Sequence, residues 1–247
     1  MRALILGGTG EARALAKRLV DAGWHVTSSL AGRVAEPKLP VGHVRIGGFG
    51  GPAGLTKWLL SDATEVIIDA THPFAERISA SAAEAARATG LPLVALHRPA
   101  WEKERGDEWL EVLDMEAAAE LARTRFAAPF LTIGRQQLSH FAADDQGRYL
   151  IRCVEQPTGP LPRHRKVLLT RGPFDVAGER KLMRDYAVDC LVTKNSGGAQ
   201  TYAKIEAARD LRKPVIMVQR PELPGKGIAY VADTVDRAFD AVTRGRV

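Results

Sequence analysis

Short, nearly unbroken apolar runs alternate along the chain with alanine-rich stretches of helical spacing, and glycine, proline or polar clusters separate them. Runs apolar on both faces fit parallel strands covered by helices on each side, because a solvated face would show alternating polar residues. Ala3 to Leu6 predicts the first strand. It runs into Gly7-Gly-Thr-Gly-Glu-Ala12, after which Ala12, Leu15, Ala16, Leu19 and Val20 recur on one helical face. His25 to Leu30, His43 to Ile46, Val66 to Ile68 and Leu93 to Leu96 predict further strands, with helical stretches at Leu55 to Leu60 and Ser79 to Thr89. A charge-rich segment from Trp101 to Asp114 follows, then a helix over Met115 to Arg125. The strand pattern restarts at Phe130 to Ile133 and continues with Tyr149 to Val154, Lys166 to Thr170, Cys190 to Thr193 and Val215 to Val218. Asp175 caps a helix carrying Leu182, Met183 and Tyr186, and further helices cover Ala199 to Leu211 and Val235 to Val242. The expected fold class is α/β: two Rossmann-like parallel-sheet domains with an interdomain cleft, residues 1–112 and 113–247, the boundary falling at about 100–130.

One stretch organises this pattern. Asp69-Ala-Thr-His-Pro-Phe-Ala75 follows the apolar run Val66 to Ile68 and precedes the alanine-rich helix, so it reads as the turn at a strand's carboxyl end, with Pro73 in the first turn of the helix. In open parallel sheets ligands sit at such turns, where helix N-termini and free backbone N–H groups converge. Sliding the sequence by 122 positions lays Thr71 on Thr193, His72 on Lys194, Glu84-Ala-Ala-Arg87 on Glu206-Ala-Ala-Arg209, Pro92 on Pro214 and Arg98-Pro99 on Arg220-Pro221. Two related halves, each presenting a polar strand end, account for the match. Chance similarity of two alanine-rich helices would not extend to the prolines and Arg-Pro pairs outside them.

The turn Gly7-Gly-Thr-Gly-Glu-Ala12 can hold a pyrophosphate against the backbone at a helix N-terminus, with Gly8, Thr9, Gly10, Glu11 and Ala12 as candidate contacts. It matches only the first two glycines of the dinucleotide fingerprint, since Arg13 stands at the third, and a purely structural turn is the alternative. An NAD-specific fold carries an acid near the end of the second strand. Here Ser28-Ser29 and then Arg33 stand there, with no acid before Glu36. Hydroxyls and a guanidinium suit a 2′-phosphate, so NADPH is favoured over NADH if a dinucleotide binds; a solvated loop role for Arg33 is the alternative. Gly47-Gly-Phe-Gly-Gly-Pro52 reads equally as a loop closing over the cofactor or as a plain turn.

Composition narrows the function classes. The 247 residues carry 35 Lys and Arg against 29 acids, net +6, dispersed along the chain, which suits a small polyanion better than a nucleic-acid track. Cys153 and Cys190 lie in strand-like runs without metal-ligand spacing, as buried free thiols in a reducing compartment would; no metal site is expected. The first strand begins almost at once, leaving no room for a signal peptide, and no apolar run reaches the roughly 18 residues of a membrane span. A soluble, cytoplasmic protein with neither a nucleic-acid nor a membrane partner is expected.

Gly7-Gly-Thr-Gly-Glu-Ala-Arg13, Asp69-Ala-Thr-His-Pro-Phe-Ala75, Thr193-Lys-Asn-Ser-Gly-Gly198, Thr201-Tyr-Ala-Lys204 and Pro214 to Pro221 together resemble the precorrin-6A reductase family, from the first strand to at least Pro221. The resemblance implies an NADPH-dependent enzyme of vitamin B12 biosynthesis that reduces one double bond of a tetrapyrrole macrocycle, converting precorrin-6A to precorrin-6B. A relative in the anaerobic route acts on the cobalt-containing counterpart, and the motifs do not separate the two. Such a polycarboxylate substrate needs cations spread over an open surface: Arg135, Arg171, Lys194 and Lys204 stand at or just past strand ends, each also readable as a surface charge. Asn195, Ser196, Gly197 and Gly198 form a turn able to hold an anion, and Thr201 and Tyr202 complete the substrate candidates. Asp69 and His72 are expected beside the nicotinamide with Thr71, and Lys194 opposite; these are the catalytic candidates, although hydride comes from the nicotinamide and any proton could come from solvent. His72 also reads as a histidine hydrogen-bonded to Asp69 or to its own turn. Other NADPH-dependent reductases, a cofactor-free two-domain tetrapyrrole synthase and a non-catalytic NADPH sensor are the competing classes.

Overall fold

The computed structural model describes residues 1–32, 38–225 and 227–245. The chain forms two compact units, Met1–Pro99 with Pro221–Val247, and Ala100–Arg220. The first contains strands β1 (Arg2–Leu6), β2 (His25–Leu30), β3 (His43–Ile46), β4 (Val66–Asp69) and β5 (Leu93–Leu96), with helices α1 (Gly10–Asp21), α2 (Pro52–Ser61) and α3 (Glu76–Thr89). The second contains β6 (Trp109–Val112), α4 (Met115–Arg125), β7 (Pro129–Leu131), a 3-10 turn (Arg135–Phe141), β8 (Arg148–Cys153), β9 (His164–Leu169), α5 (Val176–Asp185), β10 (Cys190–Lys194), a 3-10 turn (Ala199–Thr201), α6 (Ala203–Asp210) and β11 (Val215–Val218). The chain then returns to the first unit with β12 (Ala229–Ala232) and α7 (Val235–Thr243).

Each unit is built on a six-stranded sheet, ordered β12-β5-β4-β1-β2-β3 in the first and β6-β11-β10-β7-β8-β9 in the second. Every described strand pair is parallel. The alternation of side chains along a strand divides the first core between two faces. Ala3 and Ile5 of β1 pack with Ala12, Leu15, Ala16 and Leu19 of α1 and with Ala238, Ala241 and Val242 of α7. Leu4 and Leu6 pack on the other face with Leu55 and Leu59 of α2 and with Ala82, Ala83, Ala85 and Ala86 of α3. A fully buried leucine contributes about 1.5–3 kcal/mol, while the alanines let helix backbones come close to the sheet. In the second unit Phe130, Leu150, Leu191, Ile205 and Met217 form a comparable core, joined by Trp101 and Trp109.

The 122-position offset carries β5, Leu93–Leu96, onto β11, Val215–Val218, and both are second from the edge of their sheets. The repeated Arg98-Pro99 and Arg220-Pro221 pairs are the two places where the chain passes between units. The division therefore differs from the expected 1–112 and 113–247. β6 precedes residue 113 yet lies in the second sheet, and β12 and α7 follow it yet lie in the first. The second sheet is one uninterrupted run, β6 to β11, whereas the first takes its sixth strand, β12, from beyond the second unit. Pro73 lies in a turn before α3, which begins only at Glu76, and the helix expected over Ala199 to Leu211 is a 3-10 turn followed by α6. Among the described residues no helix is long and apolar enough to cross a membrane.

Candidate functional site

In the first unit the candidates gather at the carboxyl end of the sheet because β1 is central there: Leu6 pairs with Ser29 of β2 on one side and Asp69 of β4 on the other. The chain leaves β1 through Gly8, at φ +112, where an added Cβ would meet nothing within 4 Å, so the space above this turn is open to a ligand. Thr9 is the N-cap of α1, its Oγ1 accepting from Ala12 N at 3.0 Å. The same hydroxyl donates to the carbonyl of Ala70 at 2.8 Å and so ties the turn after β1 to the turn after β4. Capping spares only one amide of the first helical turn; the remaining N–H groups and the helix dipole favour an anion here. Glu11 would oppose that, but Arg98 approaches both its carboxylate oxygens at 3.2 Å. Gly10 is the first residue of α1, and Ala12 is buried against the sheet.

At the end of β2, Ser28 and Ser29 are both buried. The Ser28 hydroxyl has no hydrogen-bond partner among the described residues. Ser29 accepts from Arg45 Nη1 at 3.2 Å. Arg45, on the neighbouring edge strand β3, also donates to the carbonyls of Gly47 at 2.7 Å and Gly48 at 2.6 Å, and its guanidinium stacks 3.7 Å from the Phe49 ring centroid. It therefore organises the start of the Gly47 to Pro52 loop beside the second strand's end. Sequence reading passed over Arg45 because nothing in a short edge strand distinguishes it; only the register Ser29 with Arg45 brings the two together. Arg33 lies outside the described residues.

Beyond β4, Asp69 is buried and its Oδ1 accepts from Thr71 N at 3.1 Å and Thr71 Oγ1 at 2.6 Å. Thr71 Oγ1 also lies 3.4 Å from Ser79 Oγ. Asp69 and Thr71 shape the turn through each other. His72 accepts from Phe74 N on Nδ1 at 3.3 Å, a bond within its own turn that, in the neutral ring, leaves the proton on Nε2.

In the second unit β10 ends at Lys194, and the turn after it is held from several directions. Asn195 Oδ1 accepts from Trp101 N at 2.8 Å, Asn195 Nδ2 donates to Trp101 O at 3.0 Å, and Trp101 Nε1 donates to Gly198 O at 2.9 Å. Arg220 Nε donates to Asn195 O at 2.7 Å, and Ser196 N to Lys194 O at 2.7 Å. Gly197 and Gly198 take positive φ, +64 and +75. Lys194, Asn195, Ser196, Gly197 and Gly198 thus form one bonded strand-end turn, and Thr201 ends the 3-10 turn that follows it. Arg135 begins the 3-10 turn after β7 and pairs with Glu155 at 3.1 Å. Arg171 is exposed beyond β9, at the far edge of the sheet from β10.

Two substrate candidates are engaged by other side chains of the unit, Tyr202 half-buried and Lys204 buried. The Tyr202 hydroxyl donates to Glu104 at 2.6 Å and accepts from Arg209 at 2.7 Å, and Arg209 in turn grips Asp107 at 2.9 and 3.2 Å. Lys204 is 4% exposed, its ammonium 5.5 Å from the Trp101 ring centroid. Burial, helped by the nearby Arg152 and Lys194 charges and opposed by Glu179, brings its pKa down to about 7. Arg152 and Glu179 form a buried ion pair, with Arg152 stacked 3.7 Å from the Phe174 ring centroid. Burial pushes the thiols of Cys153 and Cys190 up, which keeps them protonated and unreactive. Among the described residues no cluster of His, Cys, Asp or Glu could hold a metal.

Comparison with known proteins bears on the whole chain. Residues 2–243 match the family model described as precorrin-6x reductase CbiJ/CobK. A precorrin-6A reductase of Rhodococcus erythropolis is 50% identical over 242 residues, covering 98% of this chain and 96% of the relative. A cobalt-precorrin-6A reductase of Priestia megaterium is 31% identical over 232 residues, covering 89% of this chain and 91% of the relative. A solved structure described as CobK precorrin-6A reductase superposes with a TM-score of 0.91 at 41% identity, covering 99% of this chain and 96% of that one.

Proposed function

The chain belongs to the precorrin-6x reductase family, and on that premise we propose that it reduces one double bond of precorrin-6A to precorrin-6B in cobalamin biosynthesis, with NADPH as hydride donor. It is an oxidoreductase acting on a CH–CH group. The metal-free macrocycle is favoured over the cobalt form because the relative at 50% identity acts on precorrin-6A and the cobalt-precorrin relative stands at 31%.

The nucleotide is assigned to the first unit. Gly8 leaves room for a pyrophosphate over the capped N-terminus of α1, and the buried, unpartnered Ser28 hydroxyl marks where a polar ligand group would sit. The observation that carries the choice of NADPH is Arg45 against Ser29, where an NAD enzyme would carry an acid. A dihydronicotinamide, when bound, supplies hydride to the macrocycle. The macrocycle itself is assigned to the second unit, its carboxylates to Lys194 and the amides of the 195–198 turn, with Arg135 and Arg171 as outer cations. His72 and Asp69 serve the first unit's strand end, Asp69 by holding Thr71 and the turn in shape.

Fluorescence titration of the protein with NADPH and NADH, followed by assay on precorrin-6A and cobalt-precorrin-6A, tests this reading. Tighter NADPH binding and faster turnover of the metal-free ring are expected. NADPH binding without turnover of either ring would overturn the reductase assignment.

A further inference from the structure

Trp101, to which no role in the reaction has yet been given, meets the strand-end turn assigned to the macrocycle at three points. Its backbone makes a two-way pair with the Asn195 side chain, Trp101 N donating to Asn195 Oδ1 at 2.8 Å and Asn195 Nδ2 donating to Trp101 O at 3.0 Å. Its indole Nε1 donates to Gly198 O at 2.9 Å. The turn is therefore gripped at both ends by one residue. Gly197 and Gly198 take positive φ, +64 and +75, and two adjacent glycines left to themselves would sample many shapes. The indole removes that freedom at Gly198. In a trans peptide the carbonyl and the next N–H point in opposite directions, so fixing the Gly198 carbonyl on the indole turns the Ala199 N–H to the side away from Trp101. The grip is firm because Trp101 is itself 8% exposed and packs in the core with Ile205 and Met217. All of these residues belong to the second unit.

We propose that Trp101 is a positioning residue for the macrocycle: its indole N–H and its backbone pair with Asn195 hold the 195–198 turn in the shape that receives a substrate carboxylate. The proposal rests on the assignment of the macrocycle to this turn. Asn195, whose side-chain carbonyl and amino groups both face Trp101, serves the clasp rather than the substrate. Trp101 acts through the turn and not by contact with the reacting carbons. A ligand that met a mobile turn would have to order it on binding, and that cost would be subtracted from affinity. A turn fixed in advance spares the cost, so the indole bond counts in the binding of the ring and hardly at all in hydride transfer. Of the three bonds, it is the one that a side-chain exchange at Trp101 removes by itself. Phenylalanine keeps an aromatic ring at this place in the core and keeps the backbone pair with Asn195, but it releases the Gly198 carbonyl.

The test is steady-state reduction of precorrin-6A by NADPH, with nucleotide titration and thermal melts in parallel, for the wild type, Trp101→Phe and Arg209→Lys. Trp101→Phe should raise KM for precorrin-6A by about 3- to 10-fold, as the loss of one hydrogen bond would, with kcat and NADPH affinity within about twofold of the wild type. Arg209 ties the same segment to α6 through Asp107, Glu104 and Tyr202. Arg209→Lys should therefore lower the melting temperature and leave KM where it was. An unchanged KM in Trp101→Phe overturns the proposal. So does an equal rise in both variants, because the indole would then act only through the stability of the segment. Should Trp101→Phe not fold, Asn195→Ala opens the clasp from its other side, and an unchanged KM there overturns the proposal as well. Lys194→Ala separates this inference from the reading beneath it. A rise in KM for Lys194→Ala but not for Trp101→Phe removes only the role of Trp101, whereas no effect in either variant removes the macrocycle from this turn.

Discussion

Thr9 Oγ1 donates to the carbonyl of Ala70 at 2.8 Å, so a single hydroxyl caps α1 and fastens the turn after β1 to the turn after β4. Thr9→Val removes both bonds while keeping the shape of the side chain. A lost cap costs about 0.5–2 kcal/mol and the lost bond to a carbonyl about 1 kcal/mol more. Thermal unfolding should shift down by several degrees, Thr9→Ser should restore most of it, and NADPH should bind more weakly to the Val variant. An unchanged melting temperature would mean that neither bond persists in solution.

Arg45 and Arg33 make separable claims on the 2′-phosphate. Arg45→Met should weaken NADPH binding by about 10- to 100-fold, the loss of one charge-assisted pair of roughly 1.5–3 kcal/mol, and leave NADH nearly untouched. Fluorescence titration of the two nucleotides reads this directly. Equal loss for both would assign Arg45 to the Gly47 and Gly48 carbonyls alone, and a selective loss in Arg33→Ala would move the phosphate there.

Lys194→Ala should lower kcat/KM for precorrin-6A by about 10- to 100-fold, or about 1.4–2.7 kcal/mol of transition-state stabilisation, through poorer placement of the ring. NADPH affinity should hardly move, since Lys194 ends a strand of the second unit. Steady-state kinetics with a parallel nucleotide titration checks both halves of the claim. Full activity with poor NADPH binding would reverse the assignment of the units.

The buried amine of Lys204 also couples stability to pH. Its folded pKa lies near 7, below the 10.5 of an unperturbed lysine. Between these values the unfolded chain binds more protons, so this group's contribution makes stability rise with pH from about 7 to about 10 and level off above. Denaturant melts of Lys204→Met should lack that rise, whereas the wild type should show it. Parallel curves over this range would place the ammonium in water.

Much of this architecture is legible in the chain because it is repeated and because central strands are apolar on both faces. Val66 to Ile68 and Val215 to Val218 announce themselves; β6 and β12 do not, since an edge strand has one neighbour and its residues are half-exposed. The same weakness hid the division of the chain. Arg98-Pro99 and Arg220-Pro221 stand out as a repeated pair, but their meaning as crossing points depends on which sheet β6 and β12 join. Among the site residues, glycine turns and polar strand ends are visible from spacing alone. The contacts of Tyr202 and Lys204 are not, because Glu104 and Trp101 lie about a hundred positions away in sequence and meet them only in the folded unit.

Register between β5 and β12, Leu93 opposite Ala229 and Leu96 opposite Ala232, imposes an order on synthesis. The second unit lies wholly within residues 100–220 and takes no strand from the tail. Until the tail emerges, β5 presents a row of unpaired backbone groups, the kind of edge to which stray strands add. A nascent chain halted before residue 229 therefore carries one finished sheet and one that is open at its β5 edge.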